Sequence, residues 1–335
     1  MAADRDLNVA LLRGEREAGG RLARGWEMLA ATGVRGLRIL HESSALDRLD
    51  LTEWQEAAFP VLEANVARFA AEGAHARRFD ARSALERGSF GYVDLDPYGS
   101  PLPFVDSALD AVAPGGLLAV TATDLRVLAG ADRTAAERLY GGRPVRGRLG
   151  PEGGLRLLLA TLARRAAALG RELRPCLAYV GGHHLRAYVR ITEGATASPP
   201  IGTIDPVSWT GPPLGEGGPF GPLWLGPLCD PAVVARLTVP PMAAHPVELA
   251  RRLEMFRQES LLDRPFYYES NTLAEELGLP EPPSTLAMSE ALARHGYRLA
   301  RSQVRPGAFR TDAPHAVVAE AAREAGQSQK ERVRA

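Results

Sequence analysis

The sequence predicts an α/β fold, with a parallel sheet between helices, followed by a smaller α+β domain. Three observations support this prediction. In the first part of the chain, short apolar runs typical of buried strands alternate with helical patterns. An acidic residue lies at or near the end of most of these runs, where ligands bind in open parallel sheets. At Glu193 the composition becomes rich in glycine, proline and serine. We therefore predict domains over 1–192 and 193–326, with a frayed tail over 327–335.

Five apolar runs are predicted as parallel strands: Trp26–Ala30, Leu46–Leu51, Ala76–Phe79, Phe90–Leu95 and Leu117–Thr123. Periodicity and breakers predict helices over 1–24, 34–40, 52–71, 101–112, 155–169, 243–259, 271–277 and 283–294. The runs Cys176–Val180 and Arg186–Ile191 are predicted as a closing strand pair, and 296–304 as a last strand. Alternation of strands and helices of this kind is typical of doubly wound folds.

The chain is organised around the turn that follows the fourth strand. Pro97 removes a backbone donor and ends the strand, and Gly99 permits a sharp bend. Asp96 and Tyr98 are thereby placed at the carboxyl edge of the sheet. A carboxylate accepts hydrogen bonds from an exocyclic amine, and a tyrosine ring stacks on a flat base. This pair suits methylation of an aromatic amine, whose nitrogen is a poor nucleophile. The alternative is that Asp96 only caps the next helix.

Acids lie at or near the ends of four predicted strands, namely Asp50, Asp80, Asp96 and Asp124. The turn from Ala31 to Gly33 lies between the first strand and a helix, a place where doubly wound folds receive nucleotide-like ligands. An acid about 20 residues after such a turn can accept hydrogen bonds from ribose hydroxyls, which favours Asp50. Several acids on one edge would repel a pyrophosphate, so we predict a cationic ligand that carries a ribose. For Asp124 a helix-capping role is the favoured alternative.

Composition narrows the class of protein. The formal net charge is zero, which argues against a surface that is basic throughout. The sequence has no apolar run of about 18 residues and no signal-peptide pattern, so we expect no membrane partner and a cytoplasmic location. The two cysteines, Cys176 and Cys229, are too few for a zinc site. Adjacent His183 and His184 lack a third ligand nearby, so we expect no metal.

An arginine stripe lies near the end of the chain without any acid between its members. It comprises Arg294, Arg298, Arg301, Arg305 and Arg310. Arginine suits bidentate phosphate contacts, so the stripe is a candidate RNA-binding surface. The alternative is a solvated surface of a helix and a strand.

Several strings resemble a known family. They are Asp4-Arg5-Asp6-Leu7, Ala31-Thr32-Gly33-Val34-Arg35-Gly36, Asp94-Leu95-Asp96-Pro97-Tyr98-Gly99-Ser100-Pro101, Thr121-Ala122-Thr123-Asp124 and Gly221-Pro222-Leu223-Trp224-Leu225-Gly226-Pro227-Leu228. On these strings the chain resembles the tRNA guanosine-26 N2-dimethyltransferases, which are class I methyltransferases dependent on S-adenosylmethionine (SAM). The resemblance implies a Rossmann-like catalytic domain, a smaller α+β tRNA-binding domain, SAM as cofactor and tRNA as partner.

The resemblance also implies roles for individual residues. The implied SAM contacts are Arg5 at the carboxylate, the turn of Ala31, Thr32, Gly33 and Arg35, Asp50 with Leu51 at the ribose, and Asp80 with Ala81 at the adenine. Asp96 would accept a hydrogen bond from the guanine N2 amine, the Pro97 carbonyl would be a second acceptor, and Tyr98 would stack on the base.

Two departures from the family leave other functions open. Family members carry an aromatic residue in a segment ahead of the position of Asp4, where this sequence has three residues. Leu49-Asp50 also stands where the family has Asn-Asp. One alternative is a family member that binds RNA and SAM without turnover. Another is a class I N-methyltransferase for a different nucleic-acid amine. The sequence does not distinguish mono- from dimethylation and does not give the oligomeric state.

Overall fold

Within the described part of the chain, one central sheet has seven strands. A computed structural model describes residues 2–20, 22–69, 72–194, 198–215, 217–262 and 264–334, with side chains described as far as 327. The strands are β1 (Ala23–Glu27), β2 (Leu46–Glu53), β3 (Ala74–Arg78), β4 (Phe90–Leu95), β5 (Val112–Ala122), β6 (Arg171–Val180) and β7 (Leu185–Glu193). Their order is β3-β2-β1-β4-β5-β7-β6. Neighbours among β1 to β5 pair in parallel, whereas β7 pairs antiparallel with β5 and β6. The predicted α/β fold is confirmed.

Helices cover both faces of this sheet. They are α1 (Ala2–Glu17), α2 (Val34–Ser43), α3 (Phe59–Phe69), α4 (Leu102–Ala111), α5 (Leu125–Leu128), α6 (Arg133–Tyr140) and α7 (Gly150–Ala168). Two hydrophobic cores lie on opposite faces, because successive strand side chains alternate. Val93 of β4 packs with α4 and α7, whereas its neighbour Tyr92 packs with α1.

The rest of the chain forms shorter elements. Its helices are α8 (Pro231–Ala235), α9 (Pro246–Glu259), α10 (Ser270–Leu277), α11 (Thr285–Arg294) and α12 (His315–Arg334). Its strands are β8 (Ile201–Ile204), β9 (Phe220–Trp224), β10 (Tyr268–Glu269), β11 (Leu299–Arg301) and β12 (Ala308–Thr311). β8 pairs with β9, and β12 lies between β10 and β11. None of the described helices is long and apolar enough to cross a membrane.

The hydrophobic cores show how the two halves are joined. Leu223 of β9 packs in the core of α7, and Phe256 of α9 packs in the core of α1. A third core joins α10, α11 and α12 with Tyr268 and Phe309. Segments on the far side of the predicted domain boundary at 193 therefore share their cores with the central sheet. The division of the chain into two domains stays a prediction. The tail predicted to fray from 327 continues α12 as far as Arg334, and Ala335 lies outside the described residues.

Three predicted boundaries were wrong near the turn after β1. β1 ends at Glu27 and not at Ala30, although the Met28 and Ala30 backbone N–H groups still donate to the neighbouring strands. β2 extends to Glu53, because Thr52 and Glu53 pair with β3. The helix predicted from Thr52 therefore begins only at Phe59. The loop-rich stretch after Glu193 contains the β8–β9 sheet.

Candidate active site

The carboxyl ends of β1 to β4 meet at one edge of the sheet because these strands are parallel. The segments that follow them are therefore neighbours: the turn after Glu27, the residues after Glu53, Asp80 and Asp96. This edge is the place where open α/β sheets bind their ligands. The sequence predicted that the turn, Asp80 and Asp96 would meet here, and the structure brings them to this edge.

The turn between β1 and α2 is compact. Ala31 and Gly33 have positive φ angles of 48° and 74°. A Cβ at Gly33 would lie 2.6 Å from a Leu62 methyl, so the position requires glycine on two grounds. The side-chain amide of Asn65 donates to the Thr32 carbonyl at 2.8 Å. Ala31, Thr32 and Gly33 thus present a fixed backbone at the edge.

Asp50 does not reach this edge. It lies three residues before the end of β2, and its side chain is fully buried. Its carboxylate pairs with Arg24 at 2.9 Å, Arg48 at 3.1 Å and Arg77 at 2.9 Å. Burial acts to raise the pKa of Asp50, but the hydrogen bonds from Arg48 and Arg24 outweigh it and lower the pKa. The assignment of Asp50 and Leu51 to a ribose is corrected, because both side chains are fully buried and the Asp50 carboxylate is already engaged by three arginines.

Glu53 lies where Asp50 was expected. Its carboxylate accepts hydrogen bonds from the backbone N–H groups of Ala31 at 3.2 Å and Gln55 at 2.9 Å. Glu53 is 6% exposed, and among the described residues no cation pairs with it. The ring of the next residue, Trp54, is 51% exposed. The sequence analysis expected an acid for the ribose about 20 residues after the turn. Counted from Gly33, the last residue of the turn, that position is Glu53.

Asp80 follows β3 and its side chain is 43% exposed. Arg82 donates to it from its guanidinium and its backbone N–H, and these hydrogen bonds lower the pKa of Asp80. The next residue, Ala81, is fully buried, and its carbonyl accepts a hydrogen bond from Ser107 of α4 at 2.5 Å. Asp80 thus reaches the edge as an ionised acceptor.

Asp96 lies just beyond β4 and its side chain is 30% exposed. Arg35 of α2 pairs with its Oδ2 atom and, through Nη1, with Asp94 at 3.2 Å. Among the described residues no hydrogen bond engages the other oxygen, Oδ1, of Asp96. The carboxylate is therefore held by one oxygen, and the other is left for a ligand.

A buried polar cluster around Asp94 holds Arg35 in place. Asp94 pairs with Arg186 at 2.7 Å and accepts hydrogen bonds from Tyr92 at 2.5 Å and Asn8 at 3.0 Å. Burial acts to raise the pKa of Asp94, but the charges of Arg186 and Arg35 hold it well below its usual range. The sequence analysis did not identify Asn8 or Arg186, because they converge from α1 and β7.

Glu27, the last residue of β1, is a second buried acid at this site. Its Oε2 atom accepts a hydrogen bond from the Gly36 N–H at 3.0 Å. A Cβ at Gly36 would lie 2.4 Å from that same oxygen, so glycine permits the close approach of α2. Burial and the neighbouring charge of Asp94 raise the pKa of Glu27 to about 8.

The turn after Asp96 is tied to the end of β5. Gly99 has a φ of 87°, and its N–H donates to the Thr123 hydroxyl at 2.6 Å. The Thr123 N–H donates back to the Gly99 carbonyl at 3.0 Å. Pro97 is buried, whereas the Tyr98 ring is fully exposed. A rigid turn therefore presents an aromatic ring beside the Asp96 carboxylate.

A cleft of about 770 Å³ opens in front of Asp96. Its residues include Asp96, Thr123, His183, Arg251, Met255 and Gln303. One wall is the sheet edge and the other is α9 with the loop after β11. This volume lies within the range of pockets that hold a ligand the size of a nucleotide.

Arg5 lies in the first turn of α1 and is half-buried. Its neighbour Asp4 lines the cleft and pairs with His184 at 3.2 Å. No hydrogen bond or ion pair joins Arg5 to another residue that the structure describes, so its side chain is free to meet a ligand.

The arginine stripe is divided by the fold. Arg294 pairs with Glu324 at 2.9 Å, Arg298 with Asp312 at 3.2 Å and Arg305 with Glu269 at 3.6 Å. Arg301 is exposed and, within the described ranges, has no partner.

Arg310 is 5% exposed and pairs with Glu152 at 3.0 Å and Glu259 at 2.9 Å. Its assignment to RNA binding is corrected, because its charge is neutralised inside the protein.

One group in the described side chains has metal-ligand spacing. The ligand atoms of His295, Glu320 and Glu324 lie within 4.8 Å of one another. Arg294 and His295 already pair with Glu324, at 2.9 Å each. This group lies on α11 and α12, and none of its members lines the cleft.

The chain is similar to known proteins over most of its length. The family described as N2,N2-dimethylguanosine tRNA methyltransferase matches residues 1–202 and 215–323. The tRNA (guanine(26)-N(2))-dimethyltransferase of Thermococcus kodakarensis is 33% identical, over 88% of this chain and 85% of its own. That of Methanosarcina acetivorans is 30% identical, over 95% and 88%. A solved structure of Trm1 from Pyrococcus horikoshii with S-adenosyl-L-methionine has a TM-score of 0.85 at 29% identity and covers 96% of this chain and 92% of its own.

Proposed function

Because this chain belongs to the family of N2,N2-dimethylguanosine tRNA methyltransferases, we propose that it transfers methyl groups from SAM to N2 of guanosine 26 in tRNA. The observation that carries the mechanism is the half-engaged carboxylate of Asp96, with Oδ1 open and the exposed Tyr98 ring beside it. Asp96 lines a cleft that accommodates a nucleotide, and Tyr98 follows it on the same turn. The confirmed family resemblance supports tRNA as the substrate.

The residues at the sheet edge fit SAM. Glu53 is a buried carboxylate without a cation among the described residues, so it can accept hydrogen bonds from both ribose hydroxyls. The exposed Trp54 ring offers a flat surface for the adenine, and Asp80 an acceptor for its exocyclic amine. The turn of Ala31, Thr32 and Gly33 supplies backbone groups that can contact the ligand. We assign the ribose to Glu53 in place of Asp50.

The charges at the edge also fit this ligand. Glu53, Asp80 and Asp96 form an acidic rim, which favours a cation over a pyrophosphate. Arg5, without a partner among the described residues, is the first candidate for the carboxylate of the methionine part, and Arg35, whose guanidinium already pairs with Asp94 and Asp96, is the second. SAM, when bound, would supply a methyl group whose bond to the sulfonium sulfur breaks as the new N–C bond forms, so that the sulfur leaves as a neutral thioether.

Asp96 would act directly on the target amine. Guanine N2 donates its lone pair into the ring and is a weak nucleophile. A hydrogen bond from N2–H to Oδ1 of Asp96, with the Pro97 carbonyl as second acceptor, localises that lone pair on nitrogen. As the N–C bond forms, the amine proton becomes acidic and passes to Oδ1, and from there to solvent. A second methylation repeats these steps with the remaining N–H.

Tyr98 and the buried cluster would position these groups. The target base must leave its stack, at a cost of a few kcal/mol, and stacking on Tyr98 offsets part of that cost. Arg35 holds the Oδ2 atom of Asp96, while Asp94 and Arg186 hold Arg35. The carboxylate therefore keeps one orientation through both methyl transfers.

The test is methylation of an unmodified tRNA transcript with labelled SAM, followed by digestion and identification of the nucleoside. We expect N2-dimethylguanosine at position 26, and transcripts with adenosine at that position should take up no label there. Asp96→Asn should lower kcat by 10²-fold or more, the usual scale of a general base. Label only in another nucleoside would refute the proposed function. Full activity of Asp96→Asn would refute the proposed mechanism.

A further inference from the structure

The wall of the cleft opposite Asp96 carries cations that the sequence analysis did not identify. Glu248, Arg251, Arg252 and Met255 of α9 line the cleft. Their spacing of three and four residues puts them on one face of the helix. Glu248 is the only acid of α9 that lines the cleft, since Glu259, one turn after Met255, is buried and pairs with Arg310. Arg257, on the same helix, pairs with Glu254 and does not line the cleft.

The two arginines of this wall differ in whether other residues hold their side chains. The Arg252 guanidinium lies over the Tyr179 ring, 4.4 Å from its centroid, and donates to the Gln303 side chain at 3.4 Å. Arg251 is exposed, and no hydrogen bond or ion pair joins it to another described residue. Arg251 thus has no direct ion-pair partner among the described residues, and it lies next to an arginine whose position is fixed.

The arginine stripe does not offer the same charge inside the cleft. Arg294 and Arg298 each pair with an acid, and Arg310 is buried. Arg301 is exposed without a partner among the described residues, but it does not line the cleft. A guanidinium that is already paired attracts a phosphate less strongly than a free one. Exposed His183 lies in the same cleft as Arg251 and has no partner among the described residues. The cleft wall is therefore the more favourable surface for an anion.

We propose that Arg251 binds the RNA backbone phosphate next to the target guanosine and holds the strand across the cleft. This inference rests on the proposed function. In a nucleotide the sugar separates base from phosphate, so a base directed at Asp96 turns its phosphate toward the opposite wall. That wall is α9. A bidentate guanidinium contact suits a phosphate and is independent of the base sequence.

The test compares Arg251→Glu and Arg251→Gln with Arg68→Glu. Arg68 is exposed on α3, does not line the cleft and has no partner among the described residues, so its reversal matches the change in net charge. Binding of unmodified tRNA transcript is measured at several salt concentrations, together with KM for tRNA and Kd for SAM. The SAM measurement also verifies that each variant is folded.

We expect Arg251→Glu to weaken tRNA binding and raise KM for tRNA at least tenfold. Arg251→Gln should have a smaller effect on both quantities. The slope of log Kd against log salt should fall by about 0.7 to 0.9 for one lost phosphate contact. Arg68→Glu should bind as the wild type does, and SAM Kd should stay within twofold in all variants. Equal tRNA binding by Arg251→Glu and Arg68→Glu would overturn the inference.

The test of the Arg251 contact can succeed or fail independently of the test of the proposed function. Binding of tRNA is measured without turnover, so an Arg251-dependent contact can be found even if the protein methylates no guanosine. Conversely, a protein that methylates guanosine 26 with a KM unaffected by Arg251→Glu would retain the proposed function and refute the contact.

Discussion

The carboxylate of Glu53 accepts a hydrogen bond from the backbone N–H of Ala31, 3.2 Å away. This contact joins the end of β2 to the turn after β1, the two segments that flank a ribose-bearing ligand in this fold class. Three residues earlier on the same strand, Asp50 is fully buried and pairs with three arginines. Asp50 and Glu53 of β2 therefore lie in different environments, one inside a cluster of arginines and one at the sheet edge.

Glu53→Gln should weaken SAM binding by about tenfold or more, because hydrogen bonds to a charged group contribute roughly 1.5 to 3 kcal/mol each. Isothermal titration calorimetry measures the affinity. Glu56→Gln is the matched control, since Glu56 lies in the same loop with its side chain 87% exposed. Equal SAM affinity of the two variants would remove Glu53 from the ribose site.

Tyr98→Ala should raise KM for tRNA about tenfold, since stacking contributes roughly 1 to 3 kcal/mol per base. Tyr98→Phe keeps the ring and should retain wild-type kinetics within about twofold. Because the side chain is fully exposed, neither variant should change the free energy of unfolding. Similar loss in both variants would assign the effect to the hydroxyl and not to stacking.

Arg310→Ala should lower the free energy of unfolding by about 3 to 5 kcal/mol, because it leaves Glu259 buried without a cation and Glu152 with Arg156 alone. Arg301→Ala, in the same stripe but exposed, should change it by less than about 0.5 kcal/mol. Urea denaturation measures both. An equally small effect of the two substitutions would show that Arg310 is not part of a buried ion-pair network.

Glu27 should make the SAM-free protein less stable as pH rises. Its pKa is about 8 in the folded protein against 4.5 for an ordinary glutamate. Below pH 4.5 both states are protonated and the effect vanishes. Between pH 4.5 and 8 only the unfolded chain releases the proton, which favours unfolding by about 1.4 kcal/mol per pH unit at most.

Glu27→Gln cannot titrate, so its free energy of unfolding relative to the wild type should increase from pH 5.5 to pH 8. Urea denaturation at these two pH values measures the difference. Glu63→Gln, an exposed site on α3, should keep a constant difference from the wild type. Parallel pH curves for Glu27→Gln and the wild type would show that the carboxyl of Glu27 is ionised in the folded protein.

Local sequence identified the parts of the site that lie next to a strand end. β4 was predicted over the residues it occupies, because Phe90–Leu95 is apolar enough for both faces to be buried and Pro97 ends it. The turn of Ala31, Thr32 and Gly33 and the edge positions of Asp80 and Asp96 followed from the same reasoning. Asp50 was misassigned because pairing with β3 extends β2 to Glu53, and strand pairing is not a local property.

The sequence by itself determined the parallel sheet, the Asp96–Tyr98 turn and the family, since periodicity, breakers and short strings are local features. Only the tertiary structure decided which charges face a ligand. Arg310 and Arg301 have the same chemistry and lie nine residues apart, yet one is buried between two glutamates and the other is exposed. The cleft wall of α9 faces Asp96 because hydrophobic burial docks that helix against the core of α1. Contacts between residues far apart in the chain set these environments, and they are fixed only when the whole chain packs.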